Sequence, residues 1–200
     1  LNDGQRDIFD NSNEKKSKQK LKINFNTIKS GIRLFDDQEW FLKVFQNNAK
    51  IIIIGAVHIA EPLINFADHL TYEVFLIDPR STFNEKKFNN IKIFKEWPDE
   101  ALKKITIDQN TAIVTLTHDP KLDDPALEFS LKTNAFYIGC LGSKKTHNSR
   151  ILRLKKKGIN EEQLNKLNGP VGLSIAAKTP SEIAISIISQ VILFKNTANA

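Results

Sequence analysis

Ile51-Ile52-Ile53-Ile54-Gly55-Ala56-Val57-His58-Ile59-Ala60 decides the architecture of this chain. Four β-branched residues in a row cannot alternate between a wet and a dry face, so the run belongs to a strand covered on both sides. Gly55 ends the run, and a helix-like stretch over 60–70 follows. A strand therefore passes through a tight turn into a helix.

The same unit recurs outward from it. Residues 74–77, 91–94, 112–117 and 136–138 read as further short strands, 40–45 as an earlier one, and 98–104, 125–132, 145–157, 161–167 and 180–195 as helices. Helix starts are marked by Pro98 with Asp99 and Glu100, by Asp124 before Pro125, by Asn160 with Gln163, and by Thr179-Pro180-Ser181-Glu182. Gly158 reads as a helix stop. Strands alternating with helices predict the α/β class, a doubly wound parallel sheet in three αβα layers. Residues 39–197 form that domain, and residues 1–38, polar and without a period, read as a linker or as the tail of a missing N-terminal domain.

The chain has 200 residues, 29 Lys and Arg against 23 Asp and Glu, and a net charge of +6. Cys140 is the only cysteine, which excludes a disulfide framework and a Cys-rich metal site and makes a cytoplasmic location the expectation. The apolar stretch 183–194 falls short of the ~20 residues of a membrane span and reads as a buried core helix. No apolar leader follows Leu1, and the missing initiator Met is expected of the back part of a longer protein. Between Cys140 and Asn160 lie seven cations, Lys144, Lys145, Arg150, Arg153, Lys155, Lys156 and Lys157, and no acid. The last three fit a solvated helix end, whereas Lys144 and Lys145 stand at a helix start, which favours an anion beside them. A patch so confined, with no stacking aromatics, argues against nucleic acid as a partner.

Ligands of an open parallel sheet lie at the carboxyl ends of its strands, so the residues after each apolar run are the candidates. Gly55 and Ala60 match the first and third fixed positions of the dinucleotide fingerprint G-x-G-x-x-A, but Val57 replaces the middle glycine; His58 stands in that turn. Asp78-Pro79-Arg80 follows the next strand, with Asp78 23 residues after Gly55, close to the ~20 expected of a ribose-binding acid. Arg80 is placed either to accept a phosphate or to neutralise Asp78. Thr117-His118-Asp119-Pro120-Lys121-Leu122-Asp123-Asp124 is dense in ionisable groups: His118 and Asp119 suit an acid–base pair or part of a metal shell, and Asp123 and Asp124 suit helix caps. Gly142, Ser143, Lys144, Lys145, Thr146 and His147 form an anion site in type without the Walker A spacing, and Cys140 reads as a small buried residue. Lys178 and Thr179 precede the last helix and add a third basic helix start.

In their order, the segments G-A-V-H-I-A, I-D-P-R, W-P-D-E-A-L, L-T-H-D-P-K-L-D-D-P-A-L, F-Y-I-G-C-L-G-S-K-K-T-H and G-P-V-G-L-S-I-A-A-K-T-P-S-E-I-A resemble the C-terminal Rossmann domain of the XdhC/CoxI family, the xanthine dehydrogenase accessory factors. The resemblance runs from Trp40 to Phe194. It implies a non-catalytic chaperone that binds molybdenum cofactor (molybdopterin), protects it while its terminal sulfur is installed, and delivers it to an apo-molybdoenzyme of the xanthine dehydrogenase type. A cysteine desulfurase is a second partner of that scheme, and a homodimer is the expected state. Carried over, the cofactor-binding residues are Gly55, His58, Asp78, Arg80, His118, Asp119, Lys121, Asp123, Gly142, Ser143, Lys144, Lys145, Thr146, His147, Lys178 and Thr179. Where the family usually has Gly, Asp, Gly and a small residue, this chain has Val57, Ser174, Ala176 and Cys140. The alternatives are an NAD(P)-dependent oxidoreductase using the same crevice, against which Val57 weighs, and a scaffold that only bridges protein partners.

Overall fold

The computed structural model describes residues 30–35, 38–42, 48–80 and 91–198, and the chain divides into two compact units between Gln46 and Asn47. The described part of the first unit is an antiparallel pair, β1 (Gly31–Phe35) and β2 (Gln38–Leu42), with Ile32 opposite Phe41 and Leu34 opposite Glu39. Strand β1 thus lies within the stretch expected to be linker, and residues 43–45 of the expected strand lie outside the described residues.

In the second unit six parallel strands stand in the order β5-β4-β3-β6-β7-β8. They are β3 (Lys50–Ile54), β4 (Glu73–Ile77), β5 (Ile91–Phe94), β6 (Thr111–Thr115), β7 (Tyr137–Cys140) and β8 (Leu167–Asn168). Counted from β3 this is 3-2-1-4-5-6, the doubly wound Rossmann order, whose switch point falls between β3 and β6. Helices α1 (Ala60–His69) and α6 (Pro180–Ala198) cover one face, where Ile51, Ile53, Val74, Leu76 and Val114 meet Leu63, Ile64, Ile187 and Val191. On the other face α2 (Pro98–Lys103), α3 (Pro120–Ser130) and α4 (Lys144–Lys156) pack on Ile52, Ile54, Phe75, Ile113, Ile138 and Cys140. A short α5 (Glu161–Leu164) leads into β8. The four isoleucines of β3 are fully buried, as an unbroken apolar run requires.

Several local expectations change. Asp124 does not cap α3: the helix begins five residues earlier, where Asp119 accepts the amide of Lys121 at 2.9 Å and Pro120 takes the first turn, so Pro125 lies inside the helix. Gly139 and Cys140 belong to β7 rather than to the turn after it, and residues 167–168 form the edge strand β8 rather than a helix end. Helix α6 is not buried all round, since Ile185 and Leu193 are exposed on its outer side. The capping box of Asn160 and Gln163 and the positive-φ stop at Gly158 occur as expected.

Candidate functional site

Three turns meet at the carboxyl edge around the switch point. The first follows β3. Gly55 has φ +106°, and a Cβ there would lie 2.5 Å from Cγ2 of Thr117, so the turn from β3 approaches the turn from β6 more closely than any side chain permits. Val57, by contrast, is not among the residues with positive φ, and it packs half-buried on the core beneath α1 and α6. It is accepted without strain, and it puts a side chain at the position where the dinucleotide fingerprint has the glycine that lets a pyrophosphate approach the backbone. His58 is exposed in this turn.

Asp78, at the end of β4, is buried and saturated. Its Oδ2 accepts the amide of Ala56 at 2.7 Å and Nη2 of Arg80 at 2.8 Å, while Oδ1 accepts the amide of Arg80 at 2.8 Å and its Nε at 2.9 Å. Burial alone would raise its pKa, but the hydrogen bonds from the Arg80 side chain and from the Ala56 and Arg80 amides together hold it below the ordinary value. Four hydrogen bonds fill the lone-pair sites of a carboxylate, so none is left for a ribose hydroxyl. Of the two roles open to Arg80, neutralising Asp78 is the one observed.

After β6, His118 takes a left-handed backbone conformation, φ +59°, and stays exposed while Asp119 caps α3. Asp119 is thus a helix cap, and its side chain bonds the Lys121 amide rather than His118. Thr117 turns inward: its Oγ1 donates to Oδ1 of Asp123 at 2.6 Å. The other carboxylate oxygen of Asp123 accepts Nη2 of Arg150 at 3.3 Å, in a pair only 1–2% exposed. Desolvation pushes the Asp123 carboxyl above its usual pKa, against the pull of the Thr117 hydroxyl and of Arg150. Arg150 also donates from Nη2 to the carbonyl of Leu141 at 3.0 Å and from Nη1 to Sγ of Cys140 at 3.1 Å, and its buried Nε has no partner among the described residues. Asp124 pairs with Arg153 through hydrogen bonds of 2.6 and 2.9 Å. Asp123 and Asp124, expected as caps, are therefore ion-paired to α4. Arg150 is the residue that sequence reasoning missed, counted there only as part of a basic run. Its signal was its position four residues before Leu154, on the inward face of α4.

The third turn follows β7. Gly142 leads to Ser143, which caps α4 by accepting the amide of Thr146 at 3.1 Å, with the two hydroxyls 2.9 Å apart. Lys144 and Lys145 are exposed on this first helical turn. His147 turns away, toward the chain after β8: a Cβ on Gly169 would lie 2.0 Å from its Nδ1, which also stands 3.9 Å from Sγ of Cys140. Burial and the neighbouring Arg150 charge hold its pKa below the ordinary histidine value. Burial lifts the Cys140 thiol to about 11, despite Arg150, which fits a buried packing residue.

The start of α6 is already occupied. Oε2 of Glu182 accepts the amides of Lys178 at 2.7 Å and Thr179 at 2.9 Å, and Thr179 Oγ1 accepts the Glu182 amide at 3.3 Å. The third basic helix start thus holds its own carboxylate, and only the Lys178 ammonium remains outward. Between here and β4 the carboxylates of Asp78, Asp119, Asp123, Asp124 and Glu182 are all engaged within the fold, whereas the side chains of Lys121, Lys144, Lys145 and Lys178 form no ion pair among the described residues. Glu61, Asp99 and Glu100 begin the two helices after β3 and β5, and Asp119 and Glu182 keep their charge while they cap, so the unpaired cations among those residues are gathered at the starts of α3, α4 and α6 and not over the whole edge. Among the described residues no three His, Cys, Asp or Glu side chains gather into a metal-binding group, and no helix is long and apolar enough to cross a membrane.

Residues 51–191 match the family model of the XdhC Rossmann domain. A stretch of 99 residues, half of this chain, is 32% identical to 30% of the Escherichia coli molybdenum cofactor insertion chaperone PaoD. Over 154 residues, 76% of this chain and 44% of the relative, it is 26% identical to a probable xanthine dehydrogenase subunit of Bacillus subtilis. A crystal structure described as a xanthine dehydrogenase from Bacillus halodurans superposes with a TM-score of 0.65 at 33% identity, over 75% of this chain and 43% of that one. The chain thus spans less than half the length of these relatives.

Proposed function

This chain belongs to the XdhC Rossmann-domain family, and from that premise we propose that it takes up molybdenum cofactor at the carboxyl edge of its sheet and hands it to a molybdoenzyme of the xanthine dehydrogenase type. The observation that carries the reading is the gathering of four lysines at the starts of α3, α4 and α6, where Asp119, Asp123, Asp124 and Glu182 are engaged within the fold and the lysine ammoniums form no ion pair among the described residues. A phosphate-bearing pterin is a ligand of matching charge. In this scheme Lys144 and Lys145, with the Ser143 and Thr146 hydroxyls, hold the phosphate, and Lys121 and Lys178 flank it. His58 and His118, exposed at the ends of adjacent strands, face the rest of the bound molecule. The name of PaoD, an insertion chaperone for the same cofactor, supports this reading.

The saturated Asp78 and the replacement of the fingerprint's middle glycine by Val57 favour this ligand over NAD(P), whose usual site has an acid open to the ribose and a glycine beside the pyrophosphate. Calorimetric titration of the protein with molybdopterin cofactor under anaerobic conditions, and separately with NADH and NADPH, discriminates the two. Heat with the cofactor and none with the nucleotides is expected; the reverse pattern contradicts the proposal. Delivery is tested by mixing the loaded protein with an apo-molybdoenzyme of the xanthine dehydrogenase type, sulfurated by a cysteine desulfurase, and following the return of its activity.

A further inference from the structure

The turns after β6 and β7 are joined by one buried chain of contacts. Thr117 of the first turn donates to Asp123 on α3, Asp123 accepts from Arg150 on α4, and Arg150 holds the carbonyl of Leu141 at the start of the second turn. The Thr117 hydroxyl also accepts the amide of Asp119, the residue that caps α3. Arg150 is among the largest fully buried side chains of the described residues, at 2% exposure. Surface helices place arginine outward by default, and burying a guanidinium with its Nε unpartnered is costly. The helix start that carries Lys121 and the one that carries Lys144 and Lys145 are thereby fixed to each other through Arg150.

We infer that Arg150 is a positioning residue: it sets the spacing between the two lysine-bearing helix starts so that they act as one anion-binding unit for the phosphate-bearing ligand. The inference rests on the functional reading above only for the identity of that ligand. A guanidinium suits the task because its planar fork reaches Asp123, Leu141 and Cys140 at once, which an ammonium on a flexible stem does not.

The test uses the full chain with Arg150→Lys, which keeps the charge and loses the fork, and with Thr117→Val, which cuts the network at its half-buried far end; Thr117→Ser keeps the hydroxyl. Amide hydrogen exchange without ligand is the first readout and anaerobic binding of molybdopterin cofactor the second. Thr117→Val is expected to speed exchange at 141–146, across the network from the substitution, by 10-fold or more. Arg150→Lys is expected to speed it at both 117–121 and 141–146 and to weaken cofactor binding at least 10-fold with every lysine in place, and Thr117→Ser to restore wild-type behaviour. Exchange that changes only beside each substitution overturns the inference, as does unchanged affinity with both turns loosened. Should Arg150→Lys not fold, the two Thr117 variants decide. A wild-type chain that binds no cofactor counts against the functional reading, and the exchange data then decide the coupling by themselves.

Discussion

The carboxylate of Asp78 and the guanidinium of Arg80, two residues apart, meet through parallel hydrogen bonds of 2.9 and 2.8 Å, and the same carboxylate holds the Ala56 amide at 2.7 Å. The end of β4 is thus tied to the turn after β3, and the acid that a dinucleotide site would leave open serves as a brace.

Asp78→Asn is expected to lower stability by about 1–3 kcal/mol, because it removes a charged acceptor from donors that remain. Since folding depresses the Asp78 pKa, its contribution is present in full above the unfolded value of 3.8 and is lost as pH falls through the lower folded value. Chemical denaturation at neutral pH and in acid checks both points: the difference between variant and wild type should shrink as the pH falls below that window.

His147 carries a pH dependence in the physiological range. Its pKa is lower folded than unfolded, so the unfolded state binds more protons, and stability present above the ordinary value of 6.5 is lost as pH falls through the folded value. Thermal unfolding between pH 7.5 and 5.5 should show that loss, and His147→Gln should flatten it. A variant as acid-sensitive as wild type over that range would assign the effect elsewhere.

Cys140 is buried with its thiol pushed up to about 11, so it should resist alkylation in the native state. Iodoacetamide at pH 7.5 is expected to label it at least ~100-fold more slowly than in denaturant. Rapid native labelling would mean that the Arg150 layer opens.

Ala176 has φ +56°, a conformation in which a Cβ is unfavourable. Ala176→Gly relieves the strain of that backbone conformation and loses part of the benefit to the greater entropy of the unfolded chain, for an expected net gain of about 0.5–1 kcal/mol in denaturant titrations.

Residues 51–55 revealed the sheet because a parallel strand buried on both faces leaves a run that no amphipathic element produces. The start of α3 was misplaced because Asp119-Pro120 and Asp124-Pro125 carry the same cap signal five residues apart, and the choice between them is made by Arg150 and Arg153, which reach Asp123 and Asp124 from α4. Strand β8, two residues long, is too short to show a period, and β1 is hidden by the polar composition around it. At the site, lysines and acids were legible by type, but their pairing was not. The Glu182 capping box at the start of α6 and the Ser143 cap of α4 were legible as cap signals, whereas the second amide that Glu182 takes up, that of Lys178, follows from side-chain geometry alone.

The central claim is that the lysines at the start of α4 hold the phosphate of molybdenum cofactor. Its most direct test is equilibrium binding of molybdopterin cofactor under anaerobic conditions to the wild type and to Lys144→Ala/Lys145→Ala. The account predicts saturable binding by the wild type and a loss of at least ~10-fold in the double variant, whose lysines are exposed and whose removal leaves the fold intact. Equal affinity in the two proteins, or none in either, would contradict it.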